Sequence, residues 1–342
     1  MQHRHCFEAV DRTFRDLCTV DDNTLFGGIP VVLGGDFAQI PPVVPLDGRP
    51  ETVQASLIMS TKIWPKLRKL FLVENMRLSN SSELDKQRGS IQLPPFLKKT
   101  TDVEMFIEDI YPKQVLQSPI QNSVFFKERA ILCSKNTTVE ETNAKVLRNV
   151  AGDIVTLFST DTVQSDITGS SMGDVPEEYL HSLTPSGLPP SKLELKVGLP
   201  IMLLRNLNPE RGLCNGTRCI IHQIGQYVLK VKVLGSESNE MELIPRFTLS
   251  TLPDQLPFVL TKKQFPVKLC FAMTINKSQG QSLKKVAVDL REPVFTHGQL
   301  YVSLSRATSA DGVSLLFSEQ NSLLTTENVV YPEVLSSQYN QE

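Results

Sequence analysis

Two apolar runs parted by one short polar segment, within residues 265–308, limit what this chain can fold into more than any other feature. Val267, Leu269, Phe271 and Met273 alternate with Lys268, Cys270, Ala272 and Thr274, the period-two pattern of a strand with one face buried. The run stops at Thr274, Asn276, Lys277, Ser278, Gln279, Gly280, Gln281 and Ser282, which gather hydroxyls, amides, one ammonium and one permissive glycine into a single polar turn. Such groups satisfy oxyanions, and glycine lets a backbone come close, so the turn has a phosphate-facing composition. Val286, Ala287 and Val288 resume a strand. The turn therefore sits at a strand's carboxyl end, where open α/β sheets place ligands.

Beyond it the spacing predicts a helix with two faces. Leu300, Leu304 and Ala307 fall at i, i+4, i+7 as an apolar stripe, and Gln299, Ser303 and Arg306 repeat that spacing as a polar one. Arg306 has two readings. It is a planar fork of donors aimed at a phosphate, or a cation favoured by the helix dipole in the last turn.

TINKSQGQSL followed by HGQLYVSLSRAT resembles motifs V and VI of the superfamily-one DNA helicases of the PIF (petite integration frequency) family, in the same order and separation. The likeness is strongest to the helicase half of Helitron transposon proteins. It implies an α/β fold of P-loop NTPase type. Arg306 and Gly280 would lie at the nucleotide, and Thr274, Asn276, Lys277, Ser278 and Gln279 along single-stranded DNA.

Earlier segments carry the same likeness. Ile29 to Leu33 is a short continuous apolar run, the pattern of a parallel-sheet strand covered on both faces. Gly34-Gly35 and Pro41-Pro42 end it. GDFAQIPPV resembles motif III, which implies that Asp36 and Gln39 lie at the nucleotide and that Gln39 senses its terminal phosphate and couples it to DNA. Trp64 to Arg77 reads as a short helix and a strand, and Arg77 resembles the motif IV arginine that meets the γ-phosphate. After it, SNSSELDKQRGSIQLPPF is shorter and more polar than the helical stretch usual in the family.

Phe7, Val10, Phe14 and Leu17 make an amphipathic helix at the start of the chain, an abrupt opening that suggests further sequence upstream. Ala130 to Cys133 reads as a buried strand and Thr137 to Val150 as a helix with Val139, Asn143, Val146 and Leu147 on one side. Residues 161–190, rich in Ser, Asp, Gly and Pro, form a junction. From Leu193 to Phe247 short strands and turn signals follow one another, with Leu229, Val231 and Val233 inward and Lys230 and Lys232 outward. This pattern suggests a small β-barrel. It matches the insertion that interrupts the second motor domain of the family. Arg205, Arg211 and Arg218 there either line single-stranded DNA or are solvated turn residues.

The expected organisation is the end of a first RecA-like motor domain (1–70), a second one (71–165 and 251–335) and a small β-barrel inserted into it (185–250). With 342 residues, 40% hydrophobic and 21% charged, and a net charge of −2, the chain has globular composition and no global attraction to nucleic acid. Any such binding rests on local Lys and Arg. The six cysteines are scattered, which favours free thiols. Cys214, Cys219 and His222, with His3, His5 and Cys6 far off in sequence, lack the paired spacing of a zinc site, so no metal ligands are assigned. No apolar run reaches membrane-spanning length and no basic-then-apolar leader opens the chain, which points to an intracellular protein. The family places it in the nucleus.

A motor of this kind needs a Gly-rich loop with GK[ST] and an acidic pair that holds magnesium. Neither occurs here, and Met1 is expected to fall just downstream of that pair. The resemblance thus implies a fragment of an ATP-dependent 5′-to-3′ DNA helicase, of a family that works in repair and recombination. ATP and Mg2+ belong to the family and are not expected to bind this chain alone. Its partners would be single-stranded DNA and the missing amino-terminal motor segment. The alternatives are a non-catalytic single-stranded nucleic-acid-binding remnant of a transposon helicase and one half of a motor completed by another chain.

Overall fold

The computed structural model describes residues 2–18, 24–44, 48–70, 89–164, 175–185, 187–236, 240–252 and 255–339, and Arg77 lies outside them. Two compact units emerge. One comprises residues 1–102, 132–134 and 274–342, the other residues 103–131 and 135–273.

The first unit is built on a parallel sheet. Lys285–Asp289 pairs in parallel with Val313–Leu316, which pairs in parallel with Lys98–Thr100. Val286, Ala287, Val288, Leu315 and Leu316 are fully buried, as continuous apolar strands covered on both faces should be. The helix Gln299–Ser305 packs on Lys285–Asp289, and its Leu300 and Leu304 are buried. Gly89–Gln92 and Thr325–Asn328 form a separate antiparallel pair.

Helix Arg4–Cys18 also belongs to this unit, and it presents a different face from the one its apolar spacing suggests. Phe7 and Phe14 lean on the cluster of Phe26, Leu57 and Ile63, whereas Val10 and Leu17 are exposed. The reason is Asp11, which lies between the two phenylalanines on the buried side and accepts the backbone N–H of Phe26 at 2.6 Å while pairing with Arg15. A buried carboxylate must be satisfied, and this one is.

The strand expected at Ile29 to Leu33 is not formed. Residues 29–36 have no ladder among the described residues. Val31 and Leu33 touch the Phe26 cluster, while Ile29 is 43% and Val32 96% exposed. A continuous apolar run becomes a central strand only when neighbours cover both faces, and here one face alone is covered.

Among the described residues the second unit holds three antiparallel sheets. Glu242–Pro245, Val228–Val233, Arg218–Ile224, Pro200–Leu203 and Val267–Leu269 pair in that order, with an irregularity at His222. Phe247–Ser250, Val259–Gln264 and Thr160–Gln164 make the second sheet, and Val155–Phe158 with Lys192–Leu195 the third. The strands expected between 193 and 247 therefore exist, and Leu229 and Val231 are buried as the alternation requires. No ladder joins the outer strands Glu242–Pro245 and Val267–Leu269 among the described residues, so the sheet is open. Cys219 and Cys270 are buried here, and burial pushes both thiols up, Cys219 to about 12.

The run from Val267 to Thr274 is not one strand. It divides into Val267–Leu269 and Ala272–Thr274 at Cys270 and Phe271. Asn143, on the buried side of helix Asn136–Asn149, accepts the N–H of Ala272 at 2.9 Å and donates to its carbonyl at 3.1 Å. Tyr111 donates its hydroxyl to the carbonyl of Phe271 at 2.8 Å. Side chains thus take over backbone groups that a continuous ladder would have used.

Lys262 is fully buried, with its ammonium 3.3 Å from the carboxylate of Asp161 on the adjacent strand and 2.6 Å from the hydroxyl of Ser191. Among the described residues no helix is long and apolar enough to cross a membrane. Removing one member of a buried pair strands the other charge, so Lys262→Ala should lower stability by about 3–5 kcal/mol. In urea unfolding, Lys262→Met combined with Asp161→Asn should recover much of that loss.

Candidate functional site

The site is assembled inside the first unit from two segments, residues 34–42 and 274–306. Asp36 turns the first of these. Its Oδ1 accepts the N–H of Ala38 at 3.0 Å, a local Asx-type bond, and its Oδ2 accepts the Gln39 side-chain amide at 3.1 Å. Ile40, Pro41 and Pro42 are buried and anchor the end of the loop. Gly34 and Gly35 stay exposed, and a Cβ at either would meet nothing within 4 Å.

Gly298 lets the second segment approach. Its φ is +74°, and a Cβ there would stand 2.3 Å from the carbonyl oxygen of Ala38 and 2.7 Å from the carbonyl carbon of Gln39. Backbone atoms cannot yield as a flexible side chain can, so the position requires glycine twice over.

Residues flanking Gly298 then bond to the loop and the turn. Tyr301 donates its hydroxyl to Asp36 Oδ2 at 2.9 Å. Nδ1 of His297 accepts the N–H of Tyr331 at 2.8 Å, which leaves Nε2 as the protonated nitrogen, donating to the carbonyl of Phe37 at 2.8 Å. Burial holds the His297 pKa below the ordinary 6.5, with the Phe37 carbonyl and Asp36 opposing the shift. The ring stacks on Tyr331, over which the Arg49 guanidinium lies, and one guanidinium nitrogen of Arg49 donates to both carboxylate oxygens of Glu333.

The polar turn after Thr274 is one turn of helix, Ile275–Ser278, instead of a loop. Gln279, directly after it, donates to Gln39 Oε1 at 3.1 Å and to the carbonyl of Ile40 at 3.4 Å. Asn276 accepts from Gln299 at 3.0 Å, and the Gln299 oxygen caps the N–H of Phe295 at 2.9 Å. Asp36, Gln39, Asn276 and Gln279, picked out from separate parts of the sequence, thus come together around helix Gln299–Ser305.

Others are placed differently. Ser278 is fully buried and donates to the carbonyl of Ile275 at 2.7 Å, so it does not face solvent with the rest of the turn. Thr274 is half-buried, and Lys277 and Gly280 are exposed, Gly280 with φ +83°. The stripe Gln299, Ser303, Arg306 is buried, not surface-facing. Arg306 donates to the carbonyls of Val302 at 3.0 Å and Gln281 at 3.2 Å and to the Ser305 hydroxyl at 2.9 Å. Carbonyls at a helix end lack intrahelical partners, and the guanidinium supplies donors to them. In the second unit Arg205 is exposed, whereas Arg218 is turned inward, donating to the carbonyls of Arg129 at 3.1 Å and Cys270 at 3.4 Å. Its place is internal, not the strand-facing one open to it in the sequence.

His297 and Tyr301 escaped sequence reasoning. Their signal was faint: a glycine directly before a helix, flanked by two ring side chains with polar atoms.

Among the described residues no three His, Cys, Asp or Glu side chains gather as a metal site. The one carboxylate of the cluster, Asp36, already receives Ala38, Gln39 and Tyr301. This donor set does not by itself fit a magnesium nucleotide, which needs a cradle of backbone N–H groups and open carboxylate oxygens.

Comparison with known proteins gives three matching family models: PIF1-like helicase over residues 1–102, DNA helicase Pif1, 2B domain over residues 178–224, and Helicase over residues 247–339. The chain is 30% identical over 325 residues to the ATP-dependent DNA helicase PIF1 of Rattus norvegicus, covering 90% of this chain and 43% of the relative. It is 25% identical over 308 residues to the ATP-dependent DNA helicase Pif1 of Bdellovibrio bacteriovorus, covering 90% of this chain and 62% of that one. The chain therefore spans well under half the length of the rat protein. Its fold is similar to that of Pif1 helicase from Candida albicans (TM-score 0.56, 22% identity, 99% of this chain and 74% of that one). It is also similar to Pif1 helicase from Bacteroides in complex with ADP-AlF3 and ssDNA (TM-score 0.55, 21% identity, 92% and 68%).

Two measurements test the geometry. Because the His297 pKa is lowered on folding, the unfolded chain takes up a proton near pH 6.5 that the folded chain refuses. Its contribution is complete above pH 6.5 and is lost as pH falls toward the folded value. The melting temperature of the wild type should accordingly drop more between pH 7 and pH 5 than that of His297→Gln. Gly298→Ala should cost more than about 1 kcal/mol, since both φ and contact oppose a methyl. An unchanged thermal midpoint would show that residues 36–40 do not sit against this position.

Proposed function

The chain belongs to the PIF1-like helicase family, and from that premise we propose that it is the coupling portion of an ATP-dependent 5′-to-3′ DNA helicase. One observation carries the reading: the hydrogen bond from Gln279 to Gln39, which ties the segment resembling motif III to the one resembling motif V. A group that senses the terminal phosphate through Gln39 would be linked by one bond to the turn that follows the DNA backbone.

In this reading Thr274, Asn276, Lys277 and Gln279, with Arg205, attend single-stranded DNA. Asp36, Gln39, Gly280 and Arg306 attend the nucleotide side, and Arg77 joins them by resemblance. Arg306 would reach a phosphate only by exchanging the carbonyls of Val302 and Gln281 for it. ATP and Mg2+ are supplied with the loop and acidic pair of the family, and a segment bearing them is the partner proposed. Relatives named as DNA helicases support a place with DNA, and the nucleus is the compartment we assign. The second reading, a non-catalytic single-stranded nucleic-acid-binding remnant, is favoured by Arg306, whose guanidinium is engaged by the carbonyls of Val302 and Gln281.

Titration of a labelled oligothymidine separates these readings from a chain with no nucleic-acid role. Binding at 50 mM salt should weaken about tenfold or more by 200 mM, and Lys277→Ala should reduce the slope of log affinity against log salt by about 0.7. ATP turnover by the chain alone should stay at the blank. Turnover above it would restore the enzyme reading without a partner segment, and no binding at low salt would remove both.

A further inference from the structure

The direction of the bond between Gln39 and Gln279 is set elsewhere, and the geometry points to Tyr301 as the positioning residue that sets it through Asp36. This inference rests on the coupling reading but concerns the orientation of the pair, whatever the pair transmits.

A glutamine amide has one accepting and one donating end, and the two are nearly equal in shape, so neighbours decide which way it points. An ionised carboxylate only accepts. Asp36 Oδ2 therefore requires the –NH2 end of Gln39, at 3.1 Å. That choice turns Gln39 Oε1 toward the turn, where Gln279 must offer an N–H, and it does at 3.1 Å. Gln279 is held in the donating sense by the carbonyl of Ile40 as well, at 3.4 Å. Donation thus runs one way, from Gln279 to Gln39 and from Gln39 to Asp36.

Asp36 alone would not hold that order. The N–H of Ala38 restrains the carboxylate at one point, Oδ1, and because the two oxygens turn together about Cβ–Cγ, a donor on Oδ2 from outside the loop fixes where both stand. Tyr301 donates to that same Oδ2 at 2.9 Å from helix Gln299–Ser305, whose start is locked against the loop by Gly298. The phenol serves as a stop supplied by the helix. Its hydroxyl is what matters, since the ring alone offers the carboxylate no donor.

Side-chain amide spectra of the full chain, 15N-labelled at glutamine, read this directly. In the wild type, a cross-relaxation contact should join the Tyr301 ring protons next to the hydroxyl to the Gln39 amide protons. In Tyr301→Phe, the Gln39 and Gln279 amide signals should both move, with backbone signals of the remaining sheet in place and the thermal midpoint within a few degrees. Asp36→Asn, whose new amide is able to donate, should move the same two signals further and weaken oligothymidine binding at least threefold. The proposal is overturned if Gln279 keeps its shift in Tyr301→Phe, or if the wild-type contact between Tyr301 and Gln39 is missing. The latter decides the matter even where a variant fails to fold. If the spectra behave as expected while the wild type binds no DNA, the orientation stands and the coupling reading fails.

Discussion

The candidate site exists because residue 298 has no side chain. With a Cβ 2.3 Å from the Ala38 oxygen, the helix that begins there would be pushed off the loop. His297 and Tyr301 would then lose Phe37 and Asp36 together. A single close backbone approach thus sets two side-chain contacts, each of ordinary strength. This is how a small polar network gains order without a large buried area: the approach is settled by packing, and hydrogen bonds of about 1 kcal/mol each then specify orientation.

What could be read in the sequence, and what could not, follows from the same physics. Val286 to Val288 and Ala130 to Cys133 were legible because a strand covered on both faces has to be apolar at every position. Asn143 was legible in placement, lying among Val139, Val146 and Leu147, but its clamp on Ala272 was not, since spacing says nothing about a residue 129 positions away. The division of 267–274 followed from that clamp. Ile29 to Leu33 has the pattern of a central strand and lacks the neighbours, a dependence no local pattern carries. The polar stripe of helix Gln299–Ser305 was legible in its spacing, but its burial was not. Period 3.6 reports which residues share a side, and only the tertiary partner decides whether that side meets water.

Arginine illustrates the same limit. Arg205, Arg218 and Arg306 were grouped with phosphate contacts because the guanidinium suits oxyanions. The fork of donors suits carbonyl oxygens equally well, and Arg218 and Arg306 are used in that way. Arg205 alone of the three is exposed. Of the residues that the resemblance assigns to single-stranded DNA, Lys277 and Arg205 are exposed, whereas Ser278 and Arg218 are buried.

Burial divides the cysteines of this chain by chemistry. Cys133, Cys219 and Cys270 are sealed inside, and the thiols of Cys219 and Cys270 are further held in the protonated, unreactive form. Cys6 is exposed on the first helix. A maleimide dye would therefore reach Cys6 most readily and the half-buried Cys18 and Cys214 less so in the folded state, and the interior thiols only after the sheets open, so that the chain carries its own reporter of unfolding.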